Sequence, residues 1–148
     1  MGRVGGPFGG GVFIADTSAW ARSEQGSVAR EWQRAVEAGQ IATCPVVKLE
    51  VLLSARDGAE YDSRDDVLGT LRDVPVTRSV TDAALAALRE LAHVRPLHQR
   101  GIPLPDLLIA ACAQDAGVGV LHYDRHFDRL AEVLDFESRW IVPPGSLD

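Results

Sequence analysis

Leu104-Pro105-Asp106-Leu107-Leu108-Ile109-Ala110-Ala111-Cys112, followed after Gly117 by Val118-Gly119-Val120-Leu121-His122-Tyr123-Asp124, decides how this chain reads. Proline at a first helical position with an apolar run behind it predicts a helix, and Gly117 ends it. Val118 to His122 is a short apolar run that predicts a buried strand finishing near Asp124. On the helix, Asp106 shares a face with Ile109, Ala110 and Ala113. A carboxylate on that buried face costs several kcal/mol unless it is paired or protonated. No Lys or Arg lies within a turn of it. Its partner must come from elsewhere in the fold, and a metal ion is one candidate. The other reading is an N-terminal acid favoured by the helix dipole.

The same alternation extends outward in both directions. Val12-Phe13-Ile14-Ala15 predicts a first strand ending at Asp16, and Thr17 or Ser18 can cap a helix after it. A helix is expected over 27–38, with Val28, Trp32, Ala35 and Val36 on one side and Gly39 as its stop. Residues 41–44 form a second strand, and Pro45 opens a helix to about Ala55. A loop over 57–61 and a short helix over 64–71 come next. Val74-Pro75-Val76 fits a brief strand near a sheet edge, where proline is tolerated. Ser79-Val80-Thr81-Asp82 reads as a capping box for a helix through Leu91. A loop over 93–103, a helix over 127–134 and a last strand at 140–142 complete the pattern. Strands alternating with helices imply an α/β fold with a parallel sheet covered on both faces. In such sheets ligands bind beyond the carboxyl ends of the strands, where Asp16 and Asp124 both lie.

Composition sets the bounds. The 148 residues suffice for one domain with a real core, and 46% apolar with 24% charged residues is ordinary for a globular protein. No apolar run approaches a membrane span. Residues 1–11 are glycine-rich without an apolar secretory segment, and read as a flexible leader. Their glycines precede the first strand and lack a Gly-Lys-Ser/Thr ending, which argues against a nucleotide-binding loop. Residues 12–142 read as the domain and 143–148 as a C-terminal tail. Cys44 and Cys112 sit in apolar surroundings and read as small buried hydrophobes in a reducing cytoplasm. A net charge of −6 disfavours broad nucleic-acid binding but leaves room for a local basic groove.

Four acids are candidates for chemistry: Asp16, Glu50, Asp106 and Asp124. Each also has a plain structural reading. Asp16 fits a helix cap, Asp124 a turn, and Glu50 the solvated stripe it forms with Ser54 and Asp57. If the four converge, they cannot all stay ionised without a cation. Oxygen-only ligands suit Mg²⁺ or Mn²⁺ rather than Zn²⁺. A carboxylate-held Mg²⁺ takes phosphate oxygens as further ligands and lowers the pKa of a bound water. That is the chemistry of phosphodiester hydrolysis.

These pieces carry a family resemblance. Ile14-Ala15-Asp16-Thr17-Ser18, Leu49-Glu50-Val51-Leu52, Pro105-Asp106-Leu107-Leu108-Ile109-Ala110-Ala111 and Leu121-His122-Tyr123-Asp124-Arg125-His126-Phe127 resemble the PIN-domain ribonucleases, in particular the VapC-type toxins of bacterial toxin–antitoxin pairs. The resemblance implies a single PIN-like α/β/α sandwich with a central parallel sheet of about five short strands. It implies a Mg²⁺-dependent endoribonuclease, with Mn²⁺ substituting, that acts on tRNA, rRNA or mRNA in the cytoplasm. Asp16 and Asp106 match the principal metal ligands, Asp124 the fourth acid, and Glu50 the second, as a ligand or through a water. Thr17 or Ser18 would hold the Asp16 loop or a metal-bound water, and Asp128 is a second acid able to share the role of Asp124. A homodimer and a small VapB-type antitoxin are implied as partners. The sequence departs from many members in its glycine-rich extension and in His122-Tyr123, where Thr or Ser often precedes the fourth acid.

RNA needs cationic contacts. Arg95, His98 and Arg100 in the loop, and Arg125, His126 and Arg129 after the strand, are the candidates for phosphate binding. Trp20 reads as helix packing or as a base-stacking surface. Two other readings are disfavoured by particular residues. A haloacid-dehalogenase-like phosphatase needs a second Asp where Ser18 stands, and a receiver domain needs a late lysine, whereas Lys48 is the only lysine. A catalytically weak PIN-like module that binds a partner is the main alternative, and a phosphatase-like α/β domain a remote one.

Overall fold

The structure is a computed structural model and describes residues 5–147. The first four residues of the expected leader and the last residue of the expected tail lie outside it. Seven strands and seven helices are present among the described residues. A small antiparallel hairpin, β1 (Gly5–Gly6) and β2 (Gly9–Gly10), precedes the main sheet. That sheet has five parallel strands, β3 (Phe13–Ala15), β4 (Ile41–Thr43), β5 (Arg72–Asp73), β6 (Gly119–His122) and β7 (Ser138–Trp140), in the order β5-β4-β3-β6-β7. The helices are α1 (Thr17–Trp20), α2 (Gly26–Glu37), α3 (Pro45–Leu53), α4 (Gly58–Leu68), α5 (Arg78–Val94), α6 (Leu104–Ala116) and α7 (His126–Leu130).

Side-chain alternation along each strand divides the core into two layers. Ile14, Ala42 and Val120 face a layer built with α3, α5 and α6. Phe13, Ala15, Ile41 and Leu121 face the opposite layer, with Val28, Trp32 and Ala35 of α2. The three inner strands, β3, β4 and β6, are buried at every position because both faces are covered, whereas the edge strands carry Arg72, Asp73, Ser138 and Arg139. Gly119 sits beside Phe13 in the register, and a Cβ there would fall 2.7 Å from the Phe13 ring and 2.8 Å from the Glu137 carbonyl oxygen. Only glycine fits that closely packed position. Gly117 closes α6 in the left-handed region at φ 68°, which turns the chain directly into β6.

Several elements differ from the sequence reading, each for a local reason. The edge strand is Arg72–Asp73 rather than 74–76: Val74 N still donates to Thr43 O at 2.8 Å, and Pro75 has no N–H with which to continue. The last strand is displaced two residues, because Val120 N takes Glu137 O as its partner. The loop expected over 57–61 is the start of α4. Asp57 caps it by accepting from Glu60 N at 2.8 Å. The capping box expected at Ser79 is displaced, since Thr77 caps α5 through Val80 N. Helix α7 starts at His126 and ends at Leu130 rather than running to 134.

The described part of the expected flexible leader is held against the domain. Phe8 is buried, Gln40 Nε2 donates to Gly9 O (2.8 Å) and Gly11 O (3.2 Å), and Arg139 donates to Phe8 O at 2.9 Å. The hairpin binds because it brings backbone acceptors to Gln40, which is fully buried. The tail is tied as well: Leu147 N donates to the Tyr123 hydroxyl at 3.2 Å. Cys44 and Cys112 are both free and buried. No helix among the described residues is long and apolar enough to cross a membrane.

Candidate metal centre

The sheet order places β3 at the centre, between β4 and β6, so the ends of β3 and β6 open onto one rim. Asp16 leaves β3 there. Its N–H continues the ladder to Leu121 O at 2.9 Å, and its side chain caps α1. Oδ2 accepts from Ser18 N (3.0 Å) and Ser18 Oγ (2.6 Å), and that hydroxyl in turn accepts from Tyr123 N (2.9 Å). Ser18 therefore ties the Asp16 loop to the segment leaving β6. Asp16 Oδ1 is buried with no hydrogen-bond partner. The cap reading thus accounts for one oxygen of this carboxylate and leaves the other unexplained.

Asp106 lies in the first turn of α6 and is 8% exposed. Its Oδ2 stands 3.2 Å from His126 Nδ1. Asp124 Oδ1 accepts from His126 N at 3.0 Å and lies 3.0 Å from the same Nδ1. Asp106, Asp124 and His126 form a cluster whose ligand-type atoms all lie within 4.8 Å of one another. Glu50 projects from α3 and accepts from Thr17 Oγ1 at 3.2 Å, at the margin of the group.

Electrostatics follow from this crowding. Burial pushes the Asp106 carboxyl up to about 7, and the charges of Asp16 and Asp124 push the same way, while His126 opposes them. Asp16 is raised by burial against the lowering effect of its bonds from Ser18, with a further upward push from Asp124. Glu50 is raised by burial and then by Asp16. Acids that destabilise one another's charge on a buried rim form a centre suited to a cation.

The remaining sequence candidates separate clearly. Asp128 faces away from the cluster, accepting from Ser138 Oγ (2.7 Å) and Trp140 Nε1 (2.9 Å), so Asp124 stands at the rim without it. Arg129 Nη2 is engaged with His98 at 3.0 Å and pins the short 3₁₀ turn His98–Gly101. Arg95, Arg100 and Arg125 are exposed. The Trp20 ring packs edge-on to Trp32 at a centroid distance of 4.8 Å. Both indoles border an open groove of about 910 Å³ that reaches the acids through Thr17 and Glu50.

Two roles were not legible in the sequence. His122 is fully buried, and burial lowers it to about 4, so the ring is neutral. Asp124 N donates to its Nδ1 at 3.1 Å, which places the proton on Nε2, 2.7 Å from Ser138 Oγ. The histidine that stands where Thr or Ser often precedes the fourth acid therefore holds the backbone of Asp124. His126 turns its ring toward the carboxylates rather than toward solvent. The only sequence signal for either was an imidazole within two residues of a candidate acid.

Comparison with known proteins assigns the class. Residues 13–133 match the PIN domain family, and the chain belongs to that family. Among its relatives is Ribonuclease VapC18 of Mycobacterium tuberculosis, 43% identical over 136 residues, covering 92% of this chain and 99% of that one. Ribonuclease VapC51 of the same organism is 38% identical over 136 residues, covering 92% and 97%. DNA-bound VapBC from Salmonella typhimurium, a crystal structure, superposes with a TM-score of 0.67 at 14% identity, covering 88% of this chain and 98% of that one. At that identity the superposition speaks for the fold, a PIN α/β/α sandwich. PIN nucleases depend on metal ions, and the chain has a cluster, Asp106, Asp124 and His126, that could hold one.

Proposed function

We propose that this chain is a Mg²⁺-dependent endoribonuclease that serves as the toxin of a toxin–antitoxin pair. Its relatives carry the name ribonuclease, and its structural neighbours are toxin–antitoxin complexes. The observation that carries the metal reading is Asp16 Oδ1, a buried carboxylate oxygen with no protein donor, in a rim where Asp106 is pushed up to about 7. A buried carboxylate oxygen without a protein donor calls for an ion or a water to complete it.

Asp16, Asp106 and Asp124 hold the cation, and Glu50 joins directly or through a water. Ser18 fixes one oxygen of Asp16 and leaves the other free of protein donors, so that it would serve as a ligand. Thr17 holds Glu50. A bound divalent ion supplies charge neutralisation, polarises the scissile phosphate and makes the attacking water more acidic. Arg95, Arg100 and Arg125, exposed on the loop and rim, contact the RNA backbone and offset the chain's negative charge. A VapB-type antitoxin, a homodimeric assembly and a cytoplasmic location complete the reading.

The test is cleavage of total RNA by the full chain, with and without Mg²⁺ or Mn²⁺, beside Asp16→Asn. Discrete fragments that need the metal and vanish in the variant are expected. Metal-independent cleavage, or equal cleavage by Asp16→Asn, would refute the site. No cleavage by folded protein free of antitoxin would favour a binding module.

A further inference from the structure

We infer that His126 is itself a metal ligand through Nδ1, making the centre a mixed nitrogen–oxygen site that holds Mn²⁺ more tightly than Mg²⁺. This rests on the metal centre proposed above and assigns it a donor of a different chemical type. Nδ1 lies 3.0 Å from Asp124 Oδ1 and 3.2 Å from Asp106 Oδ2. Neighbouring ligands of an octahedral ion at ~2.1 Å stand ~3 Å apart, so Nδ1 stands from each of these two carboxylate oxygens at the spacing of neighbouring ligands, in a group whose ligand atoms lie within 4.8 Å of one another.

The local chain enforces that spacing. His126 opens α7, and its own backbone N–H donates to Asp124 Oδ1 at 3.0 Å. One turn therefore fixes the carboxylate and the imidazole together, while His122 fixes the Asp124 backbone from behind. The His126 ring is about one-third exposed, so solvent can reach its far edge. With a cation bound in place of the Nδ1 proton and the proton on Nε2, Nδ1 would present its lone pair to the ion. Asp16 Oδ1, buried and unpartnered, belongs to a carboxylate whose charge acts on Asp106, and is an independent sign of a cation site beside this cluster. Mg²⁺ is a hard ion that takes oxygen ligands, whereas transition ions accept imidazole more readily.

The test loads the full-length chain with Mn²⁺ and records its electron spin-echo modulation. A directly bound imidazole imprints a ¹⁴N coupling that shifts when histidine is ¹⁵N-labelled. Calorimetry then gives Mn²⁺ and Mg²⁺ affinities for wild type and His126→Ala, with circular dichroism as a check on folding. The expected result is a ¹⁴N coupling in wild type, lost in His126→Ala. The variant's Mn²⁺ affinity should fall at least tenfold and its Mg²⁺ affinity less than threefold. Mn²⁺ bound without the coupling, or equal losses for both ions, overturns the role of His126. If Mn²⁺ binding is absent or insensitive to Asp106→Asn, the metal centre itself is wrong. The wild-type spectrum decides the question even if the variant fails to fold.

Discussion

Two polar clusters stand back to back around the segment from His122 to Asp128, and they are satisfied in opposite ways. On one side Asp16, Asp106 and Asp124 bring carboxylates together on a part-buried rim, and one oxygen of Asp16 has no donor. On the other, His122, Ser138, Asp128 and Trp140 form a closed relay. The Asp124 N–H donates to His122, His122 Nε2 to Ser138, Ser138 Oγ to Asp128 Oδ1, and Trp140 Nε1 to Asp128 Oδ2. The His122 ring is enclosed by Phe127 and Trp140, each with its centroid 5.0 Å away. A completed relay rigidifies the fold and asks for nothing further. An uncompleted one is costly unless a ligand completes it. The difference separates Asp124 from Asp128, the second acid on the same short segment that the sequence leaves able to share its role.

The largest effect is expected from removing a charge on the incomplete side. Asp106→Asn should lower metal-dependent RNA cleavage by more than about 100-fold, beyond the 10–100-fold typical of residues that only support a ligand. In chelator-treated protein at pH 8 the same variant should melt higher, since it removes a buried charge that its neighbours repel. A lower melting temperature there would show that Asp106 is a structural acid.

His122→Ala strikes the relay at its buried end and should destabilise the chain by about 2–3 kcal/mol in denaturant titration, through a cavity and the Asp124 N–H left unpaired. Because His122 holds the Asp124 backbone, Mn²⁺ affinity should fall as well. Unchanged affinity in folded variant protein would detach the two clusters from each other.

Acidity offers a third test, because the two clusters respond to pH with opposite sign. Asp106 titrates near 7 when folded against about 3.8 as its reference, so across that window the folded state binds more protons and stability falls as pH rises. His122 titrates near 4 when folded against about 6.5, so the unfolded state binds more protons between those values and stability rises with pH. In metal-free wild type these slopes oppose each other between about pH 4 and 6.5. Asp106→Asn should unmask the rising slope of His122, seen as a melting temperature that climbs over that range. A falling melting temperature in the variant would contradict the assignment.

Ser138→Ala should have the smallest effect. It opens the relay at a hydroxyl remote from the acids, costing about 1 kcal/mol of stability and leaving cleavage within about twofold of wild type. A large loss of activity would mean that the relay does more than support the backbone.

Much of the fold is legible from local signals. The apolar run before Asp16, the Pro105 start, the Gly117 stop and the strand behind it encode a parallel sheet through periodicity and helix punctuation. Both decide local structure before any long-range contact forms. The misplacements fall where tertiary partners override a local signal. Arg72 and Asp73 pair with β4 although Val74 and Val76 are the better strand formers, because Pro75 blocks the ladder. The glycine-rich start reads as flexible by composition, yet buried Gln40 holds its carbonyls.

The sequence by itself determined the α/β class, the positions of the four acids relative to strand and helix ends, and the burial of Asp106's helical face. These follow from residue spacing, which fixes the face a side chain occupies. Only the tertiary structure decided which acids meet. Asp106 and Asp124 come together because α6 and β6 fold back on each other across Gly117. Asp128 is drawn off to Ser138 and Trp140, and His126 turns inward from the opening of a five-residue helix. That helix is too short for periodicity to reveal its orientation. Spacing specifies a face but not the neighbour waiting there, and at this rim the neighbour decides which carboxylate is left for a metal.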